Sequence, residues 1–266
     1  MFAEFKQLFE AHMFAWQKKN LSYSQLDQAI CYSMNTQAKR LRPLIVWMLA
    51  KDCKTCLDVA LSVECLHTAS LIADDLPCMD DALYRRGNEA LHRAFGEDVA
   101  ILATYKLIGW AFKFVATQSK TQKLSAHETQ LVLDCVATNC ILSTDGQMLD
   151  LISEESGLKT HPLFEMAFVL GWIFSRGSIE MIETVKLAAF HFGTAFQIHD
   201  DLKDMDEDKK NNKPNVALTL GEFGAKNALD EHLETLRSLL QELDCLSSDF
   251  LTCIKHLHSP AQPLRL

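Results

Sequence analysis

The chain has 266 residues, a net charge of −9 at neutral pH, and only six prolines and ten glycines. Nothing in this composition marks a linker, and apolar residues recur at helical spacing, so we predict one all-α domain spanning residues 1–266. An acidic chain without a long basic tract is not expected to bind nucleic acid, because the phosphate backbone requires a cationic face.

The N-terminal segment, the short apolar runs and the cysteines predict a cytoplasmic protein without a membrane span. Residues 1–20 carry acidic side chains among apolar ones, which indicates a first helix rather than a signal peptide. The longest apolar run, Leu44 to Ala50, has about a third of the length that a membrane span needs. Nine cysteines without disulfide-framework spacing suit a reducing compartment. We interpret the single CxxC pair, Cys53 and Cys56, as part of a helix connection rather than as a metal or redox site.

Helix-start signals and apolar periodicity place the helices along the chain. Capping boxes are predicted at Ser22-x-x-Gln25 and Ser125-x-x-Glu128, and Pro43 lies where a first helical turn tolerates proline. The predicted helices span residues 2–18, 23–34, 42–52, 57–75, 97–118, 125–152, 161–176, 179–204, 216–243 and 248–257.

Two of these helices end in clusters of aspartates. The first cluster lies in LIADDLPCMDDALYRRG, residues 71–87, and the second in FQIHDDLKD, residues 196–204. Aspartate is a poor helix former, and the C-terminal end of a helix dipole repels negative charge, so a cation is needed to offset this repulsion. Mg²⁺ fits because it binds carboxylates in pairs and keeps positions for phosphate oxygens. Arg85 and Arg86 follow the first cluster directly, and arginine binds phosphate bidentately.

Further motifs accompany the two clusters in a fixed order: KRLRP at 39–43, HTASL at 67–71, GQMLDL at 146–151 and KT at 159–160. Together, residues 35 to 225 resemble the short-chain trans-prenyl diphosphate synthases, the family of farnesyl and geranylgeranyl diphosphate synthases. The resemblance implies an antiparallel helical bundle of the isoprenoid synthase type around a deep central cavity. It also implies a homodimeric trans-prenyltransferase that joins isopentenyl diphosphate to an allylic diphosphate.

The resemblance further implies roles for individual residues. Up to three Mg²⁺ ions would be held between the clusters by Asp74, Asp75, Asp80, Asp200 and Asp204. The allylic diphosphate would be bound by Arg85, Lys159, Thr160, Gln197 and Lys213. Isopentenyl diphosphate would be bound by Lys39, Arg42, His67 and Arg86. The catalytic set would be Asp74, Asp80, Asp200 and Lys159, acting on an allylic cation that forms when the diphosphate leaves.

The most serious of several departures from the family pattern lies after the second cluster. After the second cluster, MDEDKKNNKPNV is shorter than in the family and lacks its Gly-Lys…Gly-x-Asp element. Lys213 keeps the place of a later family lysine, because Gly221 follows at the expected distance. As a hypothesis, Asp206, Asp208, Lys209 or Lys210 compensates for the missing element.

The product length depends on the residues that line the cavity. Ser70 and Ala69, four and five positions before Asp74, are small, which favours geranylgeranyl over farnesyl diphosphate. A stripe of large residues on the next long helix, Leu107, Trp110 and Phe114, either caps the cavity or is ordinary core.

Two alternatives come from other classes of protein. The spacing of Glu64-x-x-His67 and Glu89-x-x-His92 is that of di-iron carboxylate bundles, although the second pair follows a segment that is typical of a loop. A non-catalytic partner subunit of a prenyl synthase would share the fold, but the loss of the aspartate clusters expected of such a subunit is not seen.

Overall fold

The protein is almost entirely helical, as the sequence predicts. The computed structural model describes residues 2–50, 54–152, 161–210 and 214–258. These residues form eleven α-helices, two short 3-10 turns and one two-stranded hairpin. The helices are α1 (Phe2–Asn20), α2 (Gln25–Met34), α3 (Leu41–Leu49), α4 (Leu57–Asp74), α5 (Leu91–Phe95), α6 (Glu97–Thr121), α7 (Ala126–Ile152), α8 (His161–Phe174), α9 (Ile182–Lys210), α10 (Val216–Glu242) and α11 (Ser248–Leu257).

The helix ends confirm one predicted capping box and correct the other. Ser125 and Glu128 bond reciprocally at the start of α7: each backbone N–H donates to the other residue's side chain, at 3.1 and 2.7 Å. The predicted box at Ser22 is wrong, because Ser24 is the N-cap of α2 and accepts the N–H of Asp27 at 3.2 Å. Ser22 instead donates its hydroxyl to the Asp27 carboxylate at 2.6 Å.

Three elements differ from the prediction. The hairpin β1 (Tyr84–Arg85) and β2 (Asn88–Glu89) and the short helix α5 follow the first aspartate cluster where we predicted no element. Helix α9 continues to Lys210 instead of ending at residue 204. The hairpin forms because Arg86 and Gly87, the two residues of its turn, both have positive φ, at 54° and 83°, as a tight type I′ turn requires.

The described residues divide into two compact units. In the first unit, residues 2–47 and 54–133, α4 packs against α1, α2 and α6. Most residues of α4 from Leu57 to Ile72 are buried, so its side chains fill the centre of this unit. In the second unit, residues 48–50, 134–152, 161–210 and 214–258, α9 packs against α8, α10 and α11. The single domain over residues 1–266 stays a prediction.

Helix α6 is the one candidate for a membrane span among the described residues. It is long and apolar enough by length and composition, a test that core helices of soluble proteins also pass.

A buried carboxylate joins α2 to α6 in the first unit. The Asp27 carboxylate accepts hydrogen bonds from the Lys106 ammonium and from both the hydroxyl and the N–H of Ser22. The backbone N–H of Asp27 donates to the hydroxyl of Ser24. Burial raises the pKa of Asp27, but the Lys106 ammonium and the serine donors outweigh this effect, so the pKa lies well below its usual value.

We therefore expect Asp27→Asn to lower the free energy of unfolding by about 1–3 kcal/mol at neutral pH, since hydrogen bonds to a charged group are lost. A depressed pKa stabilises the fold fully above the pKa of the unfolded carboxyl, about 3.9, and this contribution is lost gradually as the pH falls from there through the lower pKa of the folded protein. Urea unfolding of both proteins between pH 7 and pH 3 measures the difference. A difference that does not shrink toward pH 3 would contradict the assignment.

Candidate active site

The first aspartate cluster forms a loop that folds back on the end of α4. The N–H of Asp80 donates to the carbonyl of Asp74 at 2.9 Å, and the N–H of Ala82 donates to the carbonyl of Asp75 at 3.2 Å. Asp74 is half-buried and Asp80 is exposed. The loop thus brings the backbones of the first and last aspartates of DDLPCMD together, at the open edge of the first unit's core.

Asp75 has a different environment from its neighbour. Its side chain is 4% exposed and pairs with Arg85. The Nε of Arg85 donates to both carboxylate oxygens, at 2.9 and 3.1 Å, and Nη2 also contacts Oδ1. The hydrogen bond with Asp75 raises the pKa of Arg85. This ion pair therefore holds the hairpin against the C-terminal end of α4. A metal role for Asp75 and a diphosphate role for Arg85 stay predictions.

Three of the residues predicted to bind isopentenyl diphosphate meet in the first unit. The Nε2 atom of His67 lies 3.3 Å from Nη1 of Arg42 and 3.3 Å from Nη2 of Arg86. Arginine has only donors, so Nε2 accepts and the imidazole is neutral, with its proton on Nδ1. Burial lowers the pKa of His67 well below its usual value, and the nearby guanidinium groups lower it further. Lys39, the fourth predicted residue, is exposed two residues before α3.

The second aspartate cluster also contains one aspartate with a structural role. Asp201 is buried: Oδ1 accepts from Nε2 of Gln197 at 2.7 Å, and Oδ2 accepts from the N–H of Val216 at 2.8 Å. Burial raises the pKa of this carboxyl. These bonds hold the first turn of α10 against α9. Asp200 and Asp204, the predicted metal ligands, are both half-buried.

Asn215, the N-cap of α10, forms hydrogen bonds to two residues of α9. Its Nδ2 donates to the carbonyl of Asp201 at 2.8 Å and to the carboxylate of Asp208 at 2.9 Å, while its own side-chain oxygen caps α10. Of the four residues proposed to compensate for the missing family element, Asp208 therefore accepts a hydrogen bond from Asn215. The other three, Asp206, Lys209 and Lys210, are exposed. Lys159, Thr160 and Lys213 lie outside the described residues.

The residues expected to set product length lie on α4 and α6. Ala69 is 2% exposed, and the hydroxyl of the half-buried Ser70 donates to the carbonyl of His67 at 3.0 Å. Leu107 and Phe114 are buried, and the rings of Trp110 and Phe114 lie 5.1 and 5.4 Å from Trp16 on α1. Trp110 and Phe114 thus pack against α1, and a role of the stripe in capping the cavity stays a prediction.

The contacts of Glu64 argue against a di-iron site. Glu64 is buried and pairs with the guanidinium of Arg40, so its charge is already compensated. Within the described ranges, no three His, Cys, Asp or Glu side chains converge as a group that could hold a metal ion. Neither this ion pair nor the structural role of Asp201 was predicted from the sequence.

The comparisons with known proteins agree on one family. Residues 23–223 match the family model for polyprenyl synthetase. The chain is 31% identical to farnesyl diphosphate synthase of Bacillus subtilis over 94% of this chain and 93% of that one. It is 34% identical to geranylgeranyl diphosphate synthase of Pseudescherichia vulneris over 74% and 71% of the two chains. Its fold matches that of a geranyltranstransferase from Thermotoga maritima with a TM-score of 0.79 and 28% identity, over 96% and 97% of the chains.

Proposed function

The chain belongs to the polyprenyl synthetase family, and we propose that it condenses isopentenyl diphosphate with an allylic diphosphate to make geranylgeranyl diphosphate. As a trans-prenyltransferase it carries out prenyl chain condensation, and both farnesyl and geranylgeranyl diphosphate synthases are among its relatives. The observation that carries the proposal is the cluster of Arg42, His67 and Arg86, because its two guanidinium groups meet at one imidazole and offer donors for a diphosphate. The aspartates of the first cluster, which precede Arg86 in the sequence, offer carboxylates for its metal.

The aspartate carboxylates are the kind of ligand that Mg²⁺ requires. This ion is usually bound by one or two carboxylates together with water and substrate phosphates, not by a complete protein cage. Asp74 and Asp80 are the carboxylates of the first cluster that would bind Mg²⁺, and Asp200 and Asp204 are those of the second cluster. When bound, Mg²⁺ neutralises charge on the allylic diphosphate and makes it a better leaving group.

The protein's own residues position the substrates. The guanidinium groups of Arg42 and Arg86, together with Lys39, provide hydrogen-bond donors and positive charge for the diphosphate of isopentenyl diphosphate. Neutral His67 accepts from both arginines and so holds them side by side. The double bond of isopentenyl diphosphate then attacks the allylic carbon, and a proton is lost. No covalent bond to the enzyme is needed, so catalysis rests on orientation and electrostatics.

A homodimer is part of the proposal. Helix α6 exposes Ile101, Leu102 and Tyr105, with 40%, 53% and 67% of their surface accessible. These residues lie at i, i+1 and i+4 and so form one apolar strip on the outer side of the helix. A second copy of the chain would cover it. A cytoplasmic location is also proposed, since all eight cysteines in the described part of the chain are free thiols.

Replacing a basic residue should raise the KM of one substrate and leave that of the other nearly unchanged. We expect Arg86→Ala or Lys39→Ala to raise KM for isopentenyl diphosphate by about tenfold or more, because a charge-assisted hydrogen bond contributes about 1.5–3 kcal/mol. Lys159→Ala should act mainly on KM for the allylic substrate. Steady-state kinetics with each substrate varied in turn measures both constants, and Lys120→Ala, an exposed lysine on α6, is the control. Equal effects on both substrates would contradict the assignment.

The small side chain of Ala69 should determine product length. We expect geranylgeraniol from the wild type and farnesol from Ala69→Tyr after phosphatase treatment of the products, because the phenol ring occupies space that the growing chain needs. Ala69→Ser is the matched control, and the melting temperature of each variant reports whether the larger ring disturbs the core. Farnesol from the wild type would favour the alternative, farnesyl diphosphate synthase.

A further inference from the structure

A buried ion pair lies directly behind the basic cluster. The side chains of Arg40 and Glu64 are each 1% exposed, and Nη1 of Arg40 donates to Oε1 of Glu64. Burying two charges is costly, and such a pair is retained only where its geometry and its additional hydrogen bonds compensate. Arg40 also has a φ of 52°, a left-handed conformation that residues with a Cβ rarely adopt. Both features indicate that the backbone is held in this position by its surroundings.

The other contacts of Arg40 fix the connection between α2 and α3. Its Nη2 donates to the carbonyl of Met34, the last residue of α2, and to the carbonyl of Thr36 at 3.2 Å. A carbonyl at a helix C-terminus has no partner within the helix, so the guanidinium satisfies one that would otherwise be unpaired. Residues 35–40 are thereby closed into a fixed loop, and this loop carries Lys39.

The same loop continues to the basic cluster. The hydroxyl of Thr36 donates to the carbonyl of Ser33 at 3.0 Å and lies 3.4 Å from Nη1 of Arg86. On the other side, Glu64 precedes His67 by one helical turn on α4, so the carboxylate and the imidazole lie on the same side of the helix. Arg40 precedes Arg42 by two residues. The pair therefore connects the segments that carry all four residues assigned to isopentenyl diphosphate.

We propose that Arg40 and Glu64 are positioning residues for isopentenyl diphosphate: their buried ion pair holds Lys39, Arg42 and Arg86 at the separation that its diphosphate requires. This inference rests on the proposed function. The carboxylate also limits the mutual repulsion of neighbouring cations, because Glu64 attracts Arg86 whereas Arg40 repels it. Neither residue contacts the substrate in this proposal.

A positioning role predicts a change in one Michaelis constant. We expect Glu64→Gln, which keeps the shape and removes the charge, to raise KM for isopentenyl diphosphate by about tenfold, with kcat and KM for the allylic substrate nearly unchanged, since misplaced charged donors weaken the binding of one diphosphate. Asp27→Asn is the matched control: it also removes a buried, ion-paired carboxylate from the first unit, but the partners of Asp27 are Lys106 and the serines at the start of α2. It should lower the melting temperature without changing either constant.

A double variant separates positioning from stability. Replacing a buried ion pair by apolar residues of similar volume is often neutral or stabilising, whereas removing one partner is strongly destabilising. We therefore expect Arg40→Met/Glu64→Met to recover only part of the melting temperature that Glu64→Gln loses, because no buried charge is left unpaired but the carbonyls of Met34 and Thr36 lose a donor. The raised KM for isopentenyl diphosphate should remain. If Glu64→Gln does not fold, the double variant alone decides. A normal KM in the double variant would overturn the inference.

Calorimetric titration with isopentenyl diphosphate distinguishes this inference from the proposed function. The wild type should bind it, and Glu64→Gln or the double variant should bind it about tenfold more weakly, as expected from the loss of positioned charged donors. Equal binding by all variants would overturn the positioning role, as would a wild type that does not bind it. Binding by the wild type without any turnover would count against the proposed function alone.

Discussion

Replacing Asp74 or Asp200 with alanine is expected to lower kcat by at least about 10²–10³-fold, as for the loss of other groups that stabilise developing charge, while the melting temperature stays close to that of the wild type. Both side chains are half-buried: Asp74 is the last residue of α4, and Asp200 lies within α9. Removing them leaves no large cavity, so the fold should not respond. Each loss removes a carboxylate that would hold Mg²⁺ against the departing diphosphate.

The control for these two variants is Glu207→Ala, which removes an exposed carboxylate from the same helix as Asp200. It should keep wild-type kcat. Turnover and thermal unfolding are measured on all of the proteins under the same Mg²⁺ concentration. If the turnover of Asp74→Ala or Asp200→Ala stayed within about tenfold of the wild type, a loss of only about 1.4 kcal/mol, the assignment of the clusters to the metal would be wrong.

The aspartate next to Asp200 should behave in the opposite way. We expect Asp201→Ala to destabilise the fold by about 1–3 kcal/mol and to lower the melting temperature by about 2–10 °C, because the N–H of Val216 and the amide of Gln197 lose a buried acceptor. The first turn of α10 would be held less firmly against α9. Thermal unfolding followed by circular dichroism measures this change.

Asp201→Asn is the matched variant, since an amide oxygen can still accept from Val216. It should be more stable than Asp201→Ala. It also removes a carboxyl whose pKa burial raises, and such a group costs stability as the pH rises above the pKa of the unfolded carboxyl, about 3.9. The stability of Asp201→Asn relative to the wild type should therefore improve from pH 3 to pH 7. An Asp201→Ala variant with an unchanged melting temperature would contradict the structural role of this residue.

The helices were predictable because each buries a continuous apolar stripe. Val185, Ala189 and Phe192, which predict the buried side of α9, are all at most 1% exposed. The end of α9 was not predictable in this way. Its last residues are charged and show no apolar period, and the contact that Asp208 makes there is a hydrogen bond from Asn215.

The hairpin and the N-cap of α2 were also not predictable from an apolar period. The hairpin at Tyr84–Glu89 has only two residues in each strand and shows no periodicity. The choice of Ser24 over Ser22 as the cap of α2 depends on Asp27, whose carboxylate engages Ser22 from the third helical position. Such local choices are decided by side-chain geometry, which residue type alone does not specify.

The aspartate clusters were recognised from the sequence, but the different roles within each pair were not. Neighbouring helical residues point about 100° apart, as the helical repeat requires, so adjacent aspartates lie in different surroundings. Asp75 and Asp201 are buried, and Asp74 and Asp200 are half-buried. The arginine and the backbone N–H that the buried members bind lie at sequence distances of 10 and 15 residues, which the helical period does not reveal.

The most direct test is to incubate the purified chain alone with labelled isopentenyl diphosphate, farnesyl diphosphate and Mg²⁺, and to analyse the dephosphorylated products. We expect geranylgeraniol, no product in the presence of excess chelator, and no product from Asp74→Ala. The absence of any prenyl product from the folded wild-type chain would contradict the account and would favour a non-catalytic partner subunit with the same fold.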